Sequence, residues 1–213
     1  MQVNKILQGD ALTKLKELPE KSINMCMTSP PYFNQRDYGV DGQLGLEKTP
    51  EEFVIKLCDI FDEVQRVLKE DGTIWVNLGD CYGGYQGKNN GYPDTKTDVP
   101  VPQIKRDKKF TKCLLCVPER FAIEMINRGW ILRNKIIWNK PSVLPSPAKD
   151  RFTIDFELIF FFSKNKKYYF NQQIEPYDKP MNRWGGDKLK AQGKSIWDEG
   201  TGQNTYIPIG REI

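Results

Sequence analysis

Apolar positions along this chain follow two different periods. Short apolar runs closed by turn residues predict buried strands: Val3–Gln8 before Gly9-Asp10, Ile23–Met27 before Thr28-Ser29-Pro30-Pro31-Tyr32, and Thr73–Leu78 before Gly79-Asp80. Trp130–Trp138 and Phe156–Phe162 predict two more. In the last, Ile159-Phe160-Phe161-Phe162 is apolar without interruption, as expected of a strand covered on both faces. Between these runs the period becomes helical. Leu12, Leu15 and Leu18 share a face over 11–18, and Pro19 stops that helix. Over 50–70, Phe53, Val54, Leu57, Ile60, Phe61, Val64, Val67 and Leu68 form one stripe. Thr49 is its N-cap, Pro50 its first residue, Glu52 completes a capping box, and Gly72 is its expected end. Pro118 opens a third helix, with Phe121, Ala122, Met125 and Ile126 facing inward and Gly129 beyond it. Residues 33–48, 83–112 and the stretch from 171 onward follow neither period and read as loops.

Alternating strands and helices predict an α/β fold with a doubly wound, mostly parallel sheet, in a single domain over 1–213. Ligands of such sheets bind at the carboxyl ends of the strands. Asp10, the Ser29–Tyr32 segment and Asp80 all stand at predicted strand ends and are expected to share one crevice. The end of the second strand is unusual. Two prolines remove two N–H donors and stiffen the backbone, leaving carbonyls and the Ser29 hydroxyl beside the Tyr32 ring. Such acceptors beside a ring suit an exocyclic amine on a flat heterocycle. The alternative is a proline-rich turn after a core strand.

Composition narrows the chemistry. The 213 residues, 38% hydrophobic and 28% charged, are those of one ordinary soluble domain. No apolar run approaches the ~20 residues that span a bilayer, and no signal-peptide pattern opens the chain, so no membrane partner is expected. Five cysteines, an odd number, suggest reduced thiols and a cytoplasmic setting. There is no histidine, which excludes His-dependent triads and His metal sites. Cys113 and Cys116 have Cys-x-x-Cys spacing without a second ligand pair, so no metal is expected. Cys26, inside a strand, reads as core. Asp80 reads equally as a residue at the crevice and as a strand-end carboxylate or helix cap. Trp138 reads as a buried residue closing the sheet, or as part of a Trp138–Pro141 contact to a target strand.

Charge gathers in two loops. Residues 85–112 hold seven Lys or Arg against three acids, and residues 164–194 hold eight against three. Tyr85, Tyr92, Tyr168, Tyr169 and Trp184 interleave with that charge. Basic clusters with aromatics suit phosphate contact and base stacking, while the plain alternative is a solvated loop. Stretches 83–112 and 164–200 are thus the expected phosphate-contacting loops, with Lys105, Arg106, Lys108 and Lys109 in the first, and Lys140 and Arg151 outside both loops, as the expected phosphate-binding residues.

Read together, the motifs resemble a known family. Gly-Asp-Ala-Leu at 9–12, Thr-Ser-Pro-Pro-Tyr at 28–32 and Leu-Lys-Glu-Asp-Gly-Thr-Ile-Trp-Val-Asn-Leu-Gly-Asp at 68–80 come first. They are followed by Gly-Trp-Ile-Leu-Arg-Asn-Lys-Ile-Ile-Trp-Asn-Lys-Pro at 129–141, Asp150-Arg151-Phe152, and Glu157 before the aromatic strand. In this order they resemble the DNA amino-methyltransferases, which use S-adenosylmethionine to methylate cytosine N4 or adenine N6. The resemblance implies a Rossmann-like fold and a restriction–modification setting in a bacterial or phage-encoded system. It implies Ser29, Pro30, Pro31 and Tyr32 as catalytic residues and Asp10, Thr28 and Ser29 as cofactor contacts. It also implies double-stranded DNA with a flipped target base. Ser at position 29 leans toward the cytosine-N4 branch over the adenine-N6 branch. Methylation of a protein amide would call for Asn at that position.

The chain departs from the family in one respect. The Phe-x-Gly-x-Gly loop that holds the cofactor in relatives is absent, and Gly79–Gly84 does not precede a helix. In family members with this motif order that loop comes last, so the sheet is expected to be incomplete, with an open edge. A complementing C-terminal fragment or a dimer would restore it. The competing expectations are a DNA-binding remnant without catalysis, or a substitute supplied by the tail.

Overall fold

A computed structural model of the chain describes residues 4–83, 108–144, 146 and 148–172. All its elements lie in one compact unit, Met1–Tyr169; the second unit, Phe170–Ile213, falls almost wholly outside the described residues. In chain order the elements are α1 (Ala11–Lys16), β1 (Ile23–Thr28), α2 (Pro50–Val67), β2 (Leu68–Leu78), a 3₁₀ turn at Lys108–Phe110, α3 (Val117–Asn127), β3 (Ile131–Asn139) and β4 (Phe156–Ser163).

The four strands form one sheet in the order β1-β2-β4-β3. β1 pairs parallel with β2, with Met27 opposite Trp75 and Thr28 opposite Val76. β4 lies antiparallel between β2 and β3, with Asn77 opposite Ile159 on one side and Trp138 opposite Glu157 on the other. Hence β1, β2 and β3 run one way and β4 alone runs against them. The α/β expectation holds, in a sheet more mixed than a uniform parallel run.

The α2 stripe does what its period predicts. Phe53, Val54, Leu57, Phe61, Val64 and Val67 are buried, and Thr49 Oγ1 accepts from Glu52 N at 3.1 Å as N-cap. Together with α3 they cover Ile74, Val76, Leu78, Phe160 and Phe162 on one face of the sheet. Phe121 of α3 sits at the centre, its ring 5.4 Å from Phe61, 6.2 Å from Phe160 and 6.1 Å from Phe162. The opposite face is barer. Trp75 stacks on Phe161 at 4.1 Å and Tyr168 caps Phe161 edge-on, so Phe160, Phe161 and Phe162 of β4 are all buried, while Phe156 at its start is exposed. Met25 and Met27, on the same face of β1, remain 48% and 69% exposed.

Several expectations need correction. Residues 4–8 are not a strand: Ile6 is 95% exposed, and no neighbouring strand among the described residues offers the backbone partners a strand requires. α1 stops at Lys16 and has no fully buried residue; Leu15 is partly buried against the core, and the helix packs mainly on α2. α2 ends before Gly72. Leu68 leaves the helix at ψ 141° and pairs with Ile23, so pairing with β1 pulls the chain into β2 four residues ahead of the glycine. Ile126 points outward at 47% exposure, since α3 is covered on one side only. Trp138 is 58% exposed rather than closing the sheet, because β3 is the sheet's last strand.

Phe121→Ala would empty the centre of this packing. It is expected to destabilise the fold by about 3–5 kcal/mol, read as a lowered midpoint in urea unfolding.

Candidate active site

The carboxyl ends of β1 and β2 meet where the sequence places its strangest turn. Ser29 and Tyr32 follow β1, Asn77 stands near the end of β2, and Glu157 near the start of β4. Antiparallel entry brings the start of β4 beside the end of β2, so one corner of the sheet gathers all four side chains. Tyr32 Oη lies 2.8 Å from Asn77 Oδ1, 2.9 Å from Glu157 Oε2 and 3.2 Å from Ser29 Oγ. Ser29 Oγ also lies 3.4 Å from Asn77 Oδ1. The Asn77 amide nitrogen donates to the Leu158 carbonyl at 3.2 Å, which turns its oxygen toward the two hydroxyls. Lys140, just past β3, forms an ion pair with the other Glu157 oxygen.

Tyr32 is held from below as well. A Cβ on Gly79 would come within 2.6 Å of the ring, so the ring rests directly on the Gly79 backbone. A Cβ on Gly45 would come within 2.7 Å of the Tyr32 carbonyl, and Gly45 adopts φ +98°, a left-handed conformation that glycine tolerates. The Gly45 N–H in turn donates to the buried carboxylate of Glu47 at 2.8 Å. The 33–48 segment, a loop by period, is therefore a built support for the proline turn.

Electrostatics follow from this packing. Burial pushes the Tyr32 hydroxyl up to about 12, helped by the Glu157 charge and opposed by the Ser29 hydroxyl, so it is protonated at neutral pH. Burial alone would raise the Glu157 carboxyl. Hydrogen bonds from Lys140 and Tyr32 outweigh it and hold the group below its ordinary range.

The other expected site residues are dispersed. Asp10 caps α1: its Oδ1 accepts from Thr13 N at 2.9 Å and Thr13 Oγ1 at 2.8 Å, which lower its pKa. Asp80 proves to be a cap, not a residue open to the crevice. Its oxygens accept from Cys116 N at 2.9 Å, Val117 N at 3.0 Å and Cys81 N at 2.8 Å, the first two at the start of α3. Cys116 lies near Asp80 and Glu119, with ligand atoms within 4.8 Å, but Asp80 is spent on backbone N–H groups and Glu119 pairs with Lys135 at 2.7 Å. Cys26 packs against the core, and burial raises its thiol pKa. Lys108 and Lys109 are exposed, and Arg151 lies over the Tyr82 ring at 3.8 Å. Lys140 is committed to Glu157. Lys105, Arg106, Tyr85, Tyr92, Trp184 and most of both basic loops lie outside the described residues.

Sequence reasoning located Ser29 and Tyr32 but assigned no role to Asn77, Gly79 or Glu157. The available signal was a polar side chain inside an otherwise apolar strand, Asn77 in Ile-Trp-Val-Asn-Leu and Glu157 in Phe-Glu-Leu-Ile-Phe.

A Rossmann-like α/β sheet with a proline turn and a hydroxyl cluster at a strand end defines the class by its fold, that of the methyltransferases. The fold likeness is direct: the solved PvuII DNA methyltransferase, described as cytosine-N4-specific, superposes with a TM-score of 0.53 at 24% identity, over 88% of this chain and 62% of that one. The chain belongs to the N6/N4 DNA methylase family, whose profile matches residues 23–207. It is 40% identical to the type II methyltransferase M.XycI of Xanthomonas campestris pv. cyanopsidis over 203 residues, 92% of this chain and 64% of the relative. It is 40% identical to M.SmaI of Serratia marcescens over 206 residues, 92% of this chain and 67% of that protein. The chain thus spans about two thirds of the length of these relatives. Among the described residues, no helix is long and apolar enough to cross a membrane.

Two outcomes follow. Gly79→Ala is expected to drive the Tyr32 ring off its seat, costing about 1–3 kcal/mol and changing the near-ultraviolet circular dichroism of the tyrosines. For Glu157 the folded pKa is depressed, so its contribution to stability is present above about pH 4.5 and is lost as the pH falls through the lower folded value. Glu157→Gln should abolish that part of the acid loss, so wild type and variant converge in stability below pH 4.5, measured by urea unfolding at each pH.

Proposed function

We propose that this chain carries the target-amine side of a site-specific DNA methyltransferase that moves a methyl group from S-adenosylmethionine to the N4 amine of cytosine. The observation that carries the reading is the oxygen cluster at the β1 end: Ser29 Oγ, 3.2 Å from Tyr32 Oη and 3.4 Å from Asn77 Oδ1, beside the Pro30 and Pro31 turn. An exocyclic amine is a weak nucleophile because its lone pair is spread into the ring. The Ser29 hydroxyl and the Pro30 carbonyl accept its two protons, the nitrogen becomes tetrahedral, and its lone pair is freed to point in one direction. The target base reaches this corner only after leaving the duplex, and the Tyr32 ring offers it a stacking surface.

S-Adenosylmethionine supplies an electrophilic methyl when bound: a C–N bond forms as the C–S bond breaks, and the bonding pair stays on sulfur. Thr28, Ser29 and Asp10 are the residues that would hold it. Asp10 fits, being an exposed carboxylate with room for a further donor beside the Thr13 contacts on Oδ1. The edge of β1 has no partner strand among the described residues, and there a complementing segment or a second copy would complete the cofactor pocket. Lys108, Lys109 and Arg151 would meet DNA phosphates, joined by Lys105 and Arg106 of the same loop. All five cysteines are free thiols, which agrees with a cytoplasmic enzyme.

Cytosine N4 is preferred over adenine N6 because Ser stands first in the motif and the relative of known fold is described as cytosine-N4-specific. The test is transfer of radiolabelled methyl to duplex DNA, followed by nucleoside analysis. N4-methylcytosine is expected, with Ser29→Ala slower by on the order of 10²; N6-methyladenine would move the assignment to the other branch. No transfer, with no calorimetric binding of S-adenosylmethionine up to millimolar, would overturn the reading and leave a DNA-binding protein, whose affinity would fall steeply with salt.

A further inference from the structure

Three oxygens surround Tyr32 Oη, and two protons serve them. The neighbours are Ser29 Oγ at 3.2 Å, Asn77 Oδ1 at 2.8 Å and Glu157 Oε2 at 2.9 Å. Ser29 brings one hydroxyl proton and Tyr32 one. Asn77 brings none to the Tyr32 hydroxyl, because its oxygen faces that hydroxyl while its NH2 group serves the Leu158 carbonyl and Glu157, and an ionised Glu157 brings none. If Ser29 donates to Tyr32 and Tyr32 donates to Glu157, the 2.8 Å contact between Tyr32 and Asn77 holds no proton. If Tyr32 donates to Asn77 instead, the contact with Glu157 is empty. Either way two acceptor oxygens face each other at hydrogen-bond distance, a contact that one more proton would fill, although the Lys140 ion pair keeps Glu157 ionised at rest, so that proton is held only in passing. A third proton on Glu157 satisfies every contact of Tyr32 Oη: Glu157 donates to Tyr32, Tyr32 donates to Asn77, and Ser29 donates to Tyr32.

Methyl transfer to an amine produces exactly one surplus proton, on the newly methylated nitrogen. On the reading proposed above, that nitrogen lies against Ser29. We infer that Glu157 is the terminal acceptor of this proton, reached through Ser29 and Tyr32. The amine N–H bond breaks as its proton passes to Ser29 Oγ, the Ser29 proton passes to Tyr32 Oη, and the Tyr32 proton passes to Glu157 Oε2. Each hydroxyl gives one proton and receives one, the nitrogen becomes neutral, and the carboxylate becomes a carboxylic acid. Glu157 is the only carboxylate bonded to this hydroxyl pair among the described residues. The charged or titratable groups facing it are Tyr32 from the turn after β1 and Lys140 from beyond β3; Asn77 of β2 is neutral. Once Glu157 is neutral, the Lys140 ammonium lacks its counter-ion, which favours release of the proton to solvent and resets the site.

The inference rests on the amine-methylation reading, and its test separates the two. Single-turnover methyl transfer is measured for wild type, Glu157→Gln and Tyr32→Phe with saturating DNA and S-adenosylmethionine. The glutamine keeps the shape and can donate an N–H to Tyr32, filling the vacant contact permanently. The expected result is a rate lower by about 10² with DNA affinity unchanged, no further loss in the double variant, and disappearance of the solvent deuterium effect and of the acid limb of the wild-type pH profile. A Glu157→Gln rate within about threefold of wild type, or a loss confined to DNA or cofactor affinity, would overturn the relay while the methylation reading stands. Wild type without transfer would overturn the methylation reading. The proton store is then judged by infrared spectroscopy of the protein alone. Acidification should produce a carboxylic-acid band that Glu157→Gln removes and Tyr32→Phe shifts, whereas a band indifferent to Tyr32→Phe would refute it.

Discussion

β4 enters the sheet against the direction of its neighbours, and the geometry of the site depends on that reversal. A parallel strand in the same place would put its first residues at the far end of β2. Running antiparallel, β4 brings Glu157 to the carboxyl ends of β1 and β2, beside Tyr32 and Asn77, while Phe160 and Phe162 fill the space under α2 and α3. The energy for this comes from burial. Phe160 and Phe162 face the helices and Phe161 is stacked under Trp75, so the strand is fixed in register by both of its faces. A one-residue slip would turn these side chains over and carry Glu157 away from the tyrosine.

Much of this fold could be read from local patterns. α2 is legible because its N-cap, its first-turn proline and its apolar stripe all lie within one helix. Its end was not legible: Leu68 leaves the helix to pair with Ile23, 45 residues earlier, and no local residue announces that. Residues 4–8 carry the composition of a strand without becoming one, since strand formation depends on a neighbour's backbone and composition does not supply it. The site divides in the same way. Ser29-Pro30-Pro31-Tyr32 stands out because consecutive prolines at a strand end are chemically unusual. Asn77 and Glu157 lie 45 and 125 positions from Tyr32, and only the sheet order joins them. For Asp80 the strand-end position fitted a crevice residue and a helix cap equally, and only the fold decides for the cap, its oxygens serving the start of α3 36 residues later.

The corner is built largely from neutral hydrogen-bonding groups, with one ion pair set behind them. That arrangement suits a reaction in which a positive methyl group meets a neutral amine. A free cation at the turn would repel the donor, and here Lys140 is matched by Glu157. The glycines at 45 and 79 let the backbone come close enough to clamp Tyr32 above and below. Rigidity of this kind keeps the hydroxyl in place before any base arrives.

The separation of 125 residues between Tyr32 and Glu157 also bears on how the protein is made. A ribosome delivers β1, its proline turn and β2 well before it delivers β4. Until β4 emerges, Tyr32 has its glycine seat and Asn77 but no carboxylate, and the buried faces of β2 and α2 have no aromatic strand to cover them. Synthesis therefore passes through a stage that is sticky and chemically incomplete, and a single late strand closes the core and supplies the last oxygen together. Because long-range pairing of this kind is slow, that strand sets the moment at which a nascent chain stops being a liability to its cell.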